Sequence, residues 1–178
     1  MAVGPEPLVV WINGAFGVGK TAVALELLPL LPNSILVDPE VIGFHLRDVL
    51  AADEQTDDFQ DIPSWREITR DAVGSLARTR RGAVIVPMSV VHAGYFDEIV
   101  GGLRRSGLRV VHVSLVAPTG VIAQRLTDRS VDESWALERV EACVGALADN
   151  RFGVHLDAEH ESPTHLAARL ARLIEGDV

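Results

Sequence analysis

Residues 14–21 read Gly14-Ala15-Phe16-Gly17-Val18-Gly19-Lys20-Thr21, the spacing G-x-x-x-x-G-K-[ST]. They lie between an apolar run, Leu8 to Asn13, and a helical pattern that begins at Lys20. A glycine-rich turn in that position lets the backbone wrap a phosphate, its N–H groups pointing inward and the positive end of a helix behind them. Lys20 is the only lysine of the chain; the other basic residues are all arginine. A compact ammonium enters such a cradle where a planar guanidinium does not, so this is the one place where arginine cannot serve. We therefore expect Gly14 to Thr21 to hold the phosphates of ATP, with Lys20 on the β- and γ-phosphates and the Thr21 hydroxyl on Mg²⁺.

The rest of the chain alternates in the way such a loop requires. Leu8–Asn13, Ser34–Val37, Ala83–Pro87, Arg109–Ala117 and Gly153–Asp157 are short apolar runs, most of them without a polar face, as in parallel strands covered on both sides. Helical patterns near 20–28, 39–51, 64–80, 95–105, 119–129, 132–148 and 163–175 separate them. The alternation predicts a doubly wound α/β fold, which binds ligands at the carboxyl ends of its strands. At 178 residues the chain is expected to be a single domain, 1–178.

P-loop proteins commonly end a further strand with an aspartate that orders magnesium. The strand 83–87 continues into Met88 and Ser89 without an acid, whereas Asp38 follows the strand 34–37 directly. Asp38 is accordingly the candidate for both magnesium and the proton of an acceptor hydroxyl, against the alternative of a helix N-cap.

The strings WINGAFGVGKT, DPEVIGFHLRD, DDFQDIPSWR, VIVPMSVVHAGYFDEI and SWALERVEACVGAL resemble the bacterial tunicamycin-resistance protein family, from the first strand to about Leu147. The resemblance implies a P-loop NTPase fold like that of small-molecule kinases, ATP binding, and protection against a nucleoside antibiotic. By analogy with small kinases the five-stranded parallel sheet takes the order 2-3-1-4-5, with helices on both faces. Protection is consistent with phosphorylation of tunicamycin, with its capture without chemistry, or with a kinase of another small nucleoside or sugar.

Two further regions follow from their own residues, the first because Arg125 and Arg129, spaced i and i+4, fall on one helical face. A lid is expected over 119–134, with Arg129 on the transferring phosphates and Arg125 on the adenine ring or the phosphates; a surface ion pair with Asp128 or Glu133 is the alternative. A substrate region is expected over 38–70, where Phe44, Arg47, Phe59, Gln60, Trp65 and Arg66 combine flat faces with amide and guanidinium groups suited to a uridine-type ligand. Phe44 and Trp65 read equally as core residues, and Met88 is expected to face the same cleft from the end of the third strand.

Composition narrows the partners. A formal net charge of −9 without a basic run argues against nucleic acid. One cysteine excludes an internal disulfide, and six histidines show no metal-ligand spacing, so magnesium arriving with ATP is the only metal expected. No apolar run is long enough to span a membrane. The expected location is the cytoplasm, with peripheral membrane contact through the amphipathic segment 163–175 as the weaker alternative to its docking on the sheet.

Overall fold

The computed structural model describes residues 6–129 and 132–176. Strands β1 (Leu8–Gly14), β2 (Ile35–Leu36), β3 (Val84–Pro87), β4 (Arg109–Val116) and β5 (His155–Asp157) form one parallel sheet in the order β2-β3-β1-β4-β5. Val9, Val10, Trp11 and Ile12 of β1 and Val84, Ile85 and Val86 of β3 are completely buried. Runs with no polar face can be satisfied only in the middle of a covered sheet, and these two strands stand second and third in it.

The helices are α1 (Lys20–Leu27), α2 (Glu40–Val49), α3 (Pro63–Thr79), α4 (Ala93–Phe96), α5 (Gly102–Arg105), α6 (Thr119–Thr127), α7 (Ser134–Leu137), α8 (Val140–Leu147) and α9 (Pro163–Gly176). Strand β4 shows how they divide between the two faces. His112 meets the ring of Phe96 on α4 with centroids 4.7 Å apart, whereas the guanidinium of Arg109, on the opposite side of the strand, donates to the Ile174 carbonyl on α9. Helices α1 and α9 pack on each other, as α3 does on α5 and on the π-helical turn Asp97–Gly101 that joins α4 to α5. The backbone N–H of Arg109 also donates to the Pro7 carbonyl at 3.3 Å, so the approach to β1 and the end of α9 meet at one residue.

Several elements differ from their expected extents. The helix expected at 132–148 is divided into α7 and α8, and Arg139, between them, turns its guanidinium back over the Trp135 ring, 4.1 Å from its centroid. The helix expected at 119–129 ends at Thr127, which leaves Arg129 beyond it; residues 130 and 131 of the expected lid lie outside the described residues. The polar stretch after α2 condenses into two short 3₁₀ turns, Ala52–Glu54 and Phe59–Asp61. In α9, Leu166, Ala167, Leu170 and Ile174 are buried, so the face considered for a membrane surface is already covered. Among the described residues no helix is long and apolar enough to cross a membrane.

Candidate active site

The glycine-rich loop leaves β1 with Gly14, Gly17 and Gly19 all at positive φ. Gly17 is required twice over. Its φ is 79°, and a Cβ there would lie 2.6 Å from Cγ of Leu126, so α6 presses directly on the loop. The loop is fixed from below by a residue that the motif does not announce. Buried Asn13 accepts hydrogen bonds from the N–H groups of Gly14 (2.8 Å) and Val90 (2.9 Å) and donates to the Val90 carbonyl at 2.8 Å. Ser89 adds a 2.7 Å bond from its hydroxyl to the Gly14 carbonyl. Every polar atom of the Asn13 amide is thereby directed to a defined place, which locks the exit of β1 to the end of β3.

A cleft of about 340 Å³ opens over this loop, lined by Gly17, Lys20 and Thr21 on one side and by Asp38, Glu40 and Arg129 on the other. Lys20 folds back to donate to the carbonyls of Gly14 (3.1 Å) and Ala15 (2.9 Å). Burial pulls its ammonium down from 10.5 to about 8, with the Glu40 carboxylate acting in the opposite sense, so the group stays charged at neutral pH. Asp38 is exposed, lines the cleft, and accepts the backbone N–H of Glu40, the first residue of α2, at 2.9 Å. Glu40, part of the DPEVIGFHLRD string but given no role from the sequence, is half-buried; burial, followed by the neighbouring Asp38, raises its carboxyl above the usual range. Arg129 pairs with Glu133 at 2.7 Å and lines the cleft with it. Thr21 and Asp38 present hydroxyl and carboxylate oxygens to the same space, the donor chemistry that magnesium takes.

Arg125 occupies a different pocket. Its guanidinium donates to the carbonyl of Val18 in the loop (3.2 Å) and to that of Ala158 after β5 (2.8 Å). It lines, with Gly17, Gly19, Ala158 and Leu166, a pocket of about 300 Å³ behind the loop. The two arginines expected on one helical face therefore serve separate pockets, because α6 ends between them.

On the far side of the cleft lie two adjoining pockets. One, of about 260 Å³, is lined by Phe16, Phe44, Arg47, Phe59, Gln60 and Trp135. Phe16, near the tip of the loop, meets Trp135 of α7 edge-on with centroids 5.0 Å apart. Phe44 meets Phe59 edge-on at 6.2 Å, and the Arg47 guanidinium lies 5.3 Å from the Phe59 centroid while donating to the Asp57 carbonyl. Gly43 is needed here: a Cβ would sit 2.5 Å from Cγ of Phe59. The other, of about 220 Å³, shares Phe16, Asp58 and Gln60 with the first and adds Ser89, His92, Tyr95, Arg139 and Cys143. Burial raises the Asp58 carboxyl, although the N–H of Gln60 works against the shift.

Three residues expected on this wall lie behind it. Trp65 is completely buried and donates its indole N–H to the Pro39 carbonyl at 3.0 Å; the ring occupies the core row of α3. Met88 is buried beneath the cleft, where its carbonyl accepts the indole N–H of Trp11 at 3.2 Å. Arg66 lines neither pocket. It pairs with Glu98, donates to the Gln60 carbonyl and stacks over Tyr95 at 4.1 Å, so it holds the wall in place from the rear. Trp135 and Arg139, for which no site role was legible in the sequence, and Glu133, expected only as an ion-pair partner of Arg129, also line these pockets, because α7 and α8 reach them only through the fold.

A family model described as an AAA domain matches residues 9–152. The structure of the Deinococcus radiodurans tunicamycin resistance protein has a TM-score of 0.79 with this one and is 30% identical in sequence, covering 94% of this chain and 95% of that one. The chain belongs to the AAA-domain family and, within it, to the group of that protein. A gluconokinase from Sinorhizobium meliloti (TM-score 0.61, 22% identity, 96% and 95% covered) and the APS kinase of Mycobacterium tuberculosis in complex with AMPPNP and APS (0.58, 17%, 96% and 99%) share the fold. No curated protein sequence matches the chain. This family member therefore has the P-loop fold of small-molecule kinases, with a five-stranded sheet in the order expected.

Proposed function

We propose that this ATP-dependent phosphotransferase moves the γ-phosphoryl group of ATP to a hydroxyl of tunicamycin or a closely related uridine-type compound. The observation that carries the proposal is the continuity of two spaces. The phosphate cleft and the aromatic pocket share Phe16, Glu40 and Glu133, so a phosphoryl donor in the loop and an acceptor among the aromatics would meet at those three residues. The family, with a relative named for tunicamycin resistance, supports the choice of acceptor.

In this reading the base of ATP lies against Arg125, and the phosphates take the N–H groups of residues 14–21. Lys20 exchanges its two carbonyl partners for phosphate oxygens. Thr21 and Asp38 would hold magnesium, which supplies neutralisation of the phosphate charge. Lys20 and Arg129 spread the charge of the transferring group, which is most of what phosphoryl transfer asks of a protein. Phe44 and Phe59 offer ring faces and edges to a uracil, and the Gln60 amide can both give and accept hydrogen bonds at its edge.

Mass spectrometry of tunicamycin after incubation with the protein, ATP and Mg²⁺ tests the proposal. The expected product carries one added phosphate and forms together with ADP. Unmodified drug in the presence of demonstrable drug binding would overturn it in favour of capture without chemistry.

A further inference from the structure

The phosphate cleft holds three carboxylates among the described residues, and their surroundings differ. Asp38 is exposed, has one oxygen on the N–H of Glu40, and does not reach the aromatic pocket. Glu133 lines both spaces but is paired with Arg129 at 2.7 Å. Glu40 also lines both, and among the described residues its side chain makes no hydrogen bond or ion pair. It opens α2, whose Gly43 and Phe44 build the wall of the aromatic pocket, so the carboxylate and that wall are positioned by one helix.

We propose that Glu40, and not Asp38, is the catalytic residue that receives the acceptor hydroxyl; the assignment rests on the phosphotransferase reading. Donor and acceptor can meet only where the two spaces join, and Glu40 is the unengaged carboxylate at that junction. It accepts a hydrogen bond from the acceptor hydroxyl and aims the oxygen at the γ-phosphorus. The oxygen–phosphorus bond forms, the bond from the γ-phosphorus to the β,γ-bridging oxygen breaks with its electron pair leaving on ADP, and the hydroxyl proton passes to Glu40. Asp38 keeps two other tasks: accepting the N–H of Glu40 at the start of α2, which steadies that residue, and holding magnesium with Thr21.

The test compares wild type, Glu40→Gln, Glu40→Asp and Asp38→Asn. The readouts are drug phosphorylation, basal ATP hydrolysis with water as acceptor, and affinity for a non-hydrolysable ATP analogue. General-base catalysis is worth roughly 10²–10⁴-fold, so Glu40→Gln should lose about that much kcat in both reactions. Its KM for the drug and its affinity for the analogue should stay within about threefold, and raising Mg²⁺ should not restore it. Glu40→Asp, with the carboxylate one methylene back, should recover part of the loss. Asp38→Asn keeps an acceptor for the Glu40 N–H and should regain most of its activity at high Mg²⁺. Glu40→Gln with kcat within about threefold of wild type, or Asp38→Asn as inactive as Glu40→Gln at saturating Mg²⁺, would overturn the assignment. A wild-type protein that hydrolyses ATP but leaves the drug unmodified would refute the acceptor while still testing Glu40 through the water reaction.

Discussion

Lys20 shows how much a single side chain can carry when its neighbours are backbone. Its ammonium sits on two carbonyls of its own loop, spaced for a small head with donors in any direction. Lys20→Arg keeps the charge but cannot enter the same space. Hydrogen bonds to charged groups are worth roughly 1.5–3 kcal/mol, so affinity for a non-hydrolysable ATP analogue should fall about ten- to a hundredfold. Titration calorimetry checks this, and unchanged affinity would remove Lys20 from the phosphate. That Lys20, Thr21 and Asp38 stand in one cleft was legible in the sequence, because the first two close the loop that follows β1 and Asp38 lies just past β2, and strand ends define the ligand edge of such a sheet. Residues on helices were less so. Phe44 and Trp65 are both aromatic and both on amphipathic helices, yet Trp65 shares the buried row Thr69, Val73 and Ala77 at spacing four, while Phe44 lies beside the buried pair Gly43 and Leu46 and stays exposed. No role for Glu40 is legible in the sequence, because the one proposed for it depends on where two cavities join.

Helix α2 and the 3₁₀ turn Phe59–Asp61 form one unit, joined at Gly43, where ring and backbone touch. Gly43→Ala inserts a methyl where there is no room, and such overpacking costs about 1–3 kcal/mol. Alanine returns roughly 1 kcal/mol of helix propensity, so global stability should change little while the Phe59 ring is displaced. The expected result is a drug KM raised about tenfold with affinity for the ATP analogue unchanged; steady-state kinetics beside a urea unfolding curve separates the two effects. Equal weakening of both ligands would mean that the pocket and the loop move together. The strands and most helices were readable from their periodicity. The break between α7 and α8 was not, because their residues continue a helical pattern and the turn depends on Arg139 folding over Trp135, a contact that periodicity does not encode.

At the scale of the molecule the sheet buries one titratable group outside the site. His112 lies under Phe96, its Nε2 has no hydrogen-bond partner, and burial lowers its imidazole from 6.5 to about 3. The unfolded chain takes up a proton below about 6.5 that the folded one refuses, so the stability contributed by the neutral ring is complete above that pH and is lost progressively as pH falls toward 3. Between pH 7 and pH 5 the loss from this one group should be about 2 kcal/mol. Denaturation midpoints across that range should fall in wild type and fall less in His112→Leu; identical slopes would show that His112 does not control acid stability. The meeting of Pro7 and Ile174 at Arg109 carries a different consequence. Arg109 begins β4, and the glycine-rich loop follows the other end of β1, so this seam between Pro7 and Ile174 lies at the opposite end of the strands from the chemistry. A circular permutant that joins Gly176 to Pro7 through a short linker and opens in the exposed stretch near Asp53 should keep its cleft intact. By the same geometry, anchoring the protein to a solid support at this seam would leave the mouth of the site facing away from the surface.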